Sequence, residues 1–281
     1  MTTKSKGDSI RQKLIHLSNK LHARYQNIET VYLIERLVAR LVADKTLSKS
    51  LIFKGGFVGL KVYGSPRYTV DLDALLMKSN IEATLKLTKE CAETDLDDGV
   101  WFSFEDQIDL ATQGEYGGIR QVYRAGIGAV LKNLKKAQIV NFDLGIGDPI
   151  TPGPKEMETP SLISQNEDIS WSVYPIETII AEKLHALIAH GDANSRSKDV
   201  HDLSIFLSKA DASTLAEALT QCFKYRKTEL PKSLSGELKK LDTTRLERGW
   251  ASAIASLPNA PKFKIAFESM IKIMSEMEKS F

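Results

Sequence analysis

Cysteine is scarce in these 281 residues: only Cys91 and Cys222 occur, far apart in the chain. That excludes a disulfide framework and a cysteine-based zinc site. Charge of one sign is lacking too, because 38 Lys and Arg against 36 Asp and Glu leave a formal net charge of +2. Proteins that bind nucleic acid through bulk positive charge show a clearer basic surplus, so any such contact here is local. No apolar run is long enough to span a bilayer, and the polar start Met1-Thr2-Thr3-Lys4-Ser5-Lys6-Gly7 has no apolar signal segment. The five histidines do not form a ligand set: His185 and His190 stand at i and i+5, poor spacing for shared ligation. No GxxxxGK[ST] run occurs, which excludes a P-loop. What is present is ordinary for a folded chain, 42% hydrophobic and 26% charged, and rules out a mostly disordered one. These features together predict a soluble protein of a reducing cytoplasm that makes no use of a membrane.

The periodicity changes along the chain. Leu14, Leu17 and Leu21, then Val31, Ile34, Leu37, Val38 and Leu41, recur at helical spacing. Strand-like runs follow at Leu51–Phe53, Leu72–Met77, Val100–Phe104, Ile108–Ala111, Ile119–Tyr123 and Ala137–Leu144, with a helix expected from Ile81 to about Cys91. Asp97-Asp98-Gly99 reads as a turn whose acids are solvated. Pro149, Pro152, Gly153 and Pro154 mark a linker or surface loop, and from Tyr174 onward the pattern is almost all helical. The expected organisation is a mixed sheet with N-terminal helices over residues 1–155, then a helical lobe over 156–281.

The residues able to carry chemistry begin at Lys54-Gly55-Gly56, where a strand opens into a double glycine ahead of a helix. Glycine lets backbone approach a ligand closely, and helix starts favour phosphate; a tight turn is the structural alternative. Asp71 and Asp73 then open the next strand. Side chains at i and i+2 share a strand face. Two carboxylates side by side repel unless a cation lies between them, and a divalent metal carrying a nucleotide is the simplest such object. Just upstream, Arg67 and Thr69 precede the pair; Arg67 either contacts phosphate or pairs with one of these aspartates. Asp143 is the candidate third acid, on the face of Ile139 and Asn141, opposite Val140, Phe142 and Leu144. Asp148, in a Gly- and Pro-rich context, is the weaker candidate.

The later helices add a second group. Ile176, Ile179, Ile180, Leu184, Leu187 and Ile188 form an apolar stripe whose i+7 member is Lys183, so this lysine either snorkels out or points into a site. Glu177 and Glu182 are assigned to the first turn and the solvated side. Asp199 and Asp202, at i and i+3, share a face of the next helix, with Arg196 and Lys198 placed to pair with them or with a nucleic-acid backbone.

Two blocks, Lys54-Gly55-Gly56 through Arg67-x-Thr69-x-Asp71-x-Asp73, and Tyr174-Pro175-x-Glu177 through Lys183 to Arg196-x-Lys198-Asp199-x2-Asp202-Leu203, together resemble the AbiEii/AbiGii-type nucleotidyltransferase toxin family. The resemblance implies an α+β, polymerase-β-like nucleotidyltransferase sheet with a helical C-terminal lobe. It implies Mg²⁺ on Asp71 and Asp73 with Asp143 helping, and an NTP triphosphate held by Gly55 and Gly56 with Lys54, Arg67 and Thr69. It also implies that Lys183, Asp199 and Asp202 complete the site, that the acceptor is RNA such as the tRNA 3′ end, and that an antitoxin restrains the protein.

Overall fold

The computed structural model describes residues 3–77, 80–110, 118–164, 167–191, 195–257 and 259–281. Two compact units emerge. The first comprises residues 1–62, 68–147 and 156–173, and the second 63–67, 148–155 and 174–281.

The first unit begins with helices α1 (Thr3–Lys20), α2 (Tyr25–Ala43) and α3 (Lys45–Ser50). The periodic leucines of α2 are its core face: Leu33, Leu37 and Leu41 are fully buried. Asp44 caps α3, accepting hydrogen bonds from the Thr46 and Leu47 amides at 2.8 and 2.9 Å. Next come β1 (Leu51–Lys54), α4 (Gly55–Lys61), β2 (Asp71–Leu76), α5 (Ile81–Ala92), β3 (Val100–Asp109), β4 (Gly118–Ile127) and β5 (Gln138–Ile146), then β6 (Lys155–Pro160) and β7 (Asp168–Val173). They form one mixed sheet in the order β3-β4-β5-β2-β1-β7-β6. Strand β2 runs antiparallel to β1 and parallel to β5, and β1 runs parallel to β7. Phe53 and Phe57 both pack on Trp171, at 5.4 and 5.6 Å between ring centres, which fastens β7 against β1 and α4.

Two details depart from the sequence expectation. The runs at 100–104 and 108–111 are one strand, β3, with a register shift between Phe104 and Asp106; Ala111 lies outside the described residues. Strands β6 and β7 were not foreseen, because Glu156, Glu158 and Asp168 break their apolar alternation.

Asp98 is a correction. The turn composition predicts a solvated acid, but its side chain is only 8% exposed, with both carboxylate oxygens on Arg40 at 2.8 and 2.9 Å and Oδ2 also on Arg36 at 2.6 Å. Burial pushes its pKa up, but the two guanidiniums win and hold it below the usual carboxylate range. Its neighbour Asp97 is the solvated acid, at left-handed φ of 54°.

The second unit is helical: α6 (Ile176–His190), α7 (Ser197–Phe206), α8 (Ala212–Tyr225), α9 (Leu234–Lys240), α10 (Thr244–Ala253) and α11 (Phe263–Met277). Its core takes Ile180, Leu184 and Leu187 from α6, Val200, Leu203 and Phe206 from α7, Leu215 and Leu219 from α8, and Met270 and Met274 from α11. Glu177 stands in the first turn of α6 as its spacing predicts; it is buried there and accepts the Asp211 amide at the start of α8 (3.2 Å). The Asp211 carboxylate in turn caps α8 through the Thr214 amide at 2.9 Å.

Candidate active site

In the sheet unit, register puts the acids together. Asp71 and Asp73 alternate with buried Leu72 and Ala74, so both point away from the core face of β2. On the parallel neighbour β5, Asp71 pairs with Asn141 and Asp73 with Asp143; on β4, Arg120 is the partner of Asp143. The expected division of β5 holds: Val140, Phe142 and Leu144 are buried, while Ile139, Asn141 and Asp143 are not. Asn141 donates its side-chain amide to Asp71 Oδ1 at 3.0 Å. Arg120 forks onto Asp143, with Nε on Oδ1 and Nη2 on Oδ2, both at 2.7 Å. The hydrogen bonds to Asp143 raise the Arg120 pKa; burial opposes this, and the charges of Asp143, Asp71 and Asp73 add to the rise. A single guanidinium thus feels all three acids.

The glycine turn completes this face. Lys54 is the cross-strand partner of Asp73. Gly55, the first residue of α4, adopts φ of 74°, and a Cβ placed on it would lie 1.9 Å from Asp73 Oδ2. Only glycine allows the carboxylate to rest against the backbone there. Gly56 follows in the first turn of α4. Thr69 directs its hydroxyl to the Asp71 carbonyl at 3.3 Å, fixing the start of β2.

The second unit gathers the other candidates. Arg67 belongs to it and forks onto Asp202 of α7, Nε to Oδ1 at 3.1 Å and Nη2 to Oδ2 at 2.9 Å. Lys183 does not snorkel. Its ammonium donates to Asp199, in the first turn of α7, and, at 2.9 Å, to Asp202 in the second; both acids are buried. Arg196 also donates to Asp199. Burial would discharge Lys183, but Asp199 and Asp202 raise its pKa above the ordinary lysine value. For Asp202 burial pushes upward, and Lys183, His201 and Arg67 together hold it far below the usual carboxylate range. Asp199 is lowered likewise, Lys183 and Arg196 outweighing its burial.

The sequence reading missed Arg120 and gave Asn141 no part. An arginine in the run Ile119–Tyr123 was the available signal, but its partner acid follows from the β4–β5 register, which sequence does not display. Asp148 belongs to the helical unit, where Arg226 approaches it at 3.9 Å. Among the described residues, no group of three or more His, Cys, Asp or Glu side chains is arranged to hold a metal ion, and no helix is long and apolar enough to cross a membrane.

A mixed sheet presenting two aspartates on the strand beside a glycine turn defines a nucleotidyltransferase fold. The chain belongs to the AbiEii family, the nucleotidyl transferase toxins of type IV toxin–antitoxin systems, whose sequence model matches residues 36–269. Two solved structures resemble this chain, and the one with a TM-score of 0.50 shares its fold. One is a Helicobacter pylori protein named provisionally as a nucleotidyltransferase (18% identity, 88% of this chain and 92% of that one, TM-score 0.50). The other is JHP933 of Helicobacter pylori (18% identity, 88% and 90% covered, TM-score 0.49). Among proteins with curated descriptions, none matches this sequence.

Proposed function

We propose that the protein is an Mg²⁺-dependent nucleotidyltransferase that moves a nucleoside monophosphate from an NTP to an acceptor hydroxyl on RNA, with the tRNA 3′ end as the preferred acceptor. In this reading it works in the cytoplasm as a toxin restrained by a cognate antitoxin. The observation that carries it is the contact of Asp73 with Gly55: a carboxylate of the Asp71/Asp73 pair lies against a helix start that only glycine can form.

The donor chemistry fits a hard dication, since Asp71 and Asp73 supply carboxylate oxygens on one strand face and Asn141 steadies Asp71. When bound, Mg²⁺ supplies charge neutralisation at the phosphate oxygens. The chain's own residues do the rest. Gly55 and Gly56 bring backbone N–H groups to the triphosphate and Lys54 brings its ammonium. The acceptor oxygen bonds to the α-phosphorus as the bond to the β-phosphate oxygen breaks, pyrophosphate leaves, and the acceptor proton passes to a carboxylate of the set. Asp143 joins the other two acids when Arg120 releases one of its oxygens. In the helical unit, Asp199 and Asp202 keep Lys183 charged and Asp202 holds the Arg67 guanidinium in place, as cations suited to phosphate.

The test is incubation with each labelled NTP, Mg²⁺ and total RNA. Label is expected on RNA with wild type, and transfer is expected to fall by at least about 10²–10³-fold in Asp71→Ala or Asp73→Ala. Label on protein or on a small molecule replaces the RNA acceptor with that class. No transfer with any of the four nucleotides, in cell extract as well, overturns the enzymatic reading in favour of a binding module.

A further inference from the structure

The helix that carries the glycine turn cannot hold its own shape. Three of the seven residues of α4 are glycine: Gly55, Gly56 and Gly59. Glycine is the poorest helix former after proline, and isolated helices shorter than about 12 residues are marginal in water. Yet Gly55 must sit in one place, at φ of 74° and against the Asp73 carboxylate. The order of α4 is therefore imposed by what packs on it.

The helix is anchored at both ends. Near its start, Phe57 packs on Trp171 of β7. At its last residue, about 9 Å along the axis from Gly55, Lys61 donates its ammonium to Glu35 Oε2 of α2 at 2.6 Å and to the Pro160 carbonyl at the end of β6 at 2.7 Å. The Glu35 side chain is fully buried and that of Lys61 is 10% exposed. The rest of the carboxylate serves the chain just after β6: Glu35 Oε1 accepts the Ser161 hydroxyl and the Leu162 amide, both at 2.9 Å. Arg36, the next residue of α2, donates to Glu167 Oε2 at 3.1 Å, just before β7. Helix α2 thus grips both ends of the β6–β7 connection, and the two together grip α4. A buried ion pair adds little net stability over an apolar pair of the same shape. What this one adds is geometry, because an ammonium shared by a carboxylate and a carbonyl has one place to be.

We infer that Glu35 and Lys61 are positioning residues of the candidate active site: they clamp the far end of α4 and thereby hold Gly55 and Gly56 beside Asp73. What the clamp serves rests on the nucleotidyltransferase reading; the clamp itself is measurable without turnover. Lys61→Met strands a buried carboxylate and is expected to lower the melting temperature, whereas Glu35→Gln combined with Lys61→Met removes both charges and is expected to recover most of it. Leu215→Ala opens a cavity at a fully buried position of α8 and supplies a destabilised control away from α4. Hydrogen–deuterium exchange on the full chain is expected to run about tenfold faster at the amides of residues 56–61 in both Lys61 variants, with no such local change in Leu215→Ala. In the double variant the KM for the NTP is expected to rise about tenfold, with a smaller change in kcat, and in Leu215→Ala to stay at the wild-type value. Exchange in α4 of the double variant no faster than in Leu215→Ala overturns the inference. So does a wild-type KM in a variant whose α4 has loosened. A wild type that transfers no nucleotide, beside an α4 that loosens as expected, overturns the enzymatic reading and leaves the clamp standing.

Discussion

Gly55 and His185 show how single residues carry testable weight. Gly55→Ala requires left-handed backbone in an L-residue and drives a methyl carbon into Asp73. The backbone strain alone costs about 1–2 kcal/mol, so chemical denaturation is expected to show at least that loss. Asp73 must also move, so nucleotide transfer is expected to fall beyond what the lost stability explains. His185 sets a pH dependence. It is buried, its Nε2 faces Thr228 Oγ1 at 2.9 Å, and the Arg226 guanidinium approaches Nδ1 at 3.2 Å. Burial, then the charges of Arg226 and His190, lower its pKa from 6.5 to about 4. The unfolded chain therefore takes up a proton near pH 6.5 that the folded chain refuses until about pH 4. Stability from the neutral imidazole is fully present above pH 6.5 and is lost as pH falls toward 4. Urea unfolding at a series of pH values is expected to show that decline, and His185→Gln to flatten it. An unchanged slope in the variant would remove His185 as the cause.

Among the elements, the strand pairing of β4, β5 and β2 governs the acids. It sets Arg120 beside Asp143 and Asp143 beside Asp73, so the guanidinium competes with any dication for the third carboxylate. Arg120→Gln is expected to tighten Mn²⁺ binding measured by calorimetry, and Asp143→Asn to abolish that gain. If Arg120→Gln binds Mn²⁺ no better than wild type, the fork does not restrain Asp143. This level also marks where the sequence stopped being readable. Helix α6 showed itself through its apolar stripe, and five of the six expected positions are buried; the paired acids of β2 showed themselves through their i, i+2 spacing. Both are local patterns. The partner of Arg67 was not readable: Asp202 lies 135 residues away, and nothing in the local spacing distinguishes it from Asp71 or Asp73. Asp98 misled for a similar reason. A polar turn composition predicts exposure, but two arginines from a distant helix converge on it.

For the whole molecule, membership in a toxin family predicts growth arrest. Induced expression is expected to stop growth, and Asp73→Ala to restore it with the same amount of protein present. Arrest that persists in Asp73→Ala would separate toxicity from the acids of β2. The chain also crosses between its two units several times: residues 63–67 and 148–155 belong with the helices, while 156–173 return to supply the last strands of the sheet. No one recombination point in the gene can exchange a complete unit. A chimera joined anywhere between Arg67 and Asp202 unites one parent's arginine with the other parent's buried carboxylate. Homologues are therefore free to trade helical lobes only where that ion pair is matched on both sides of the join.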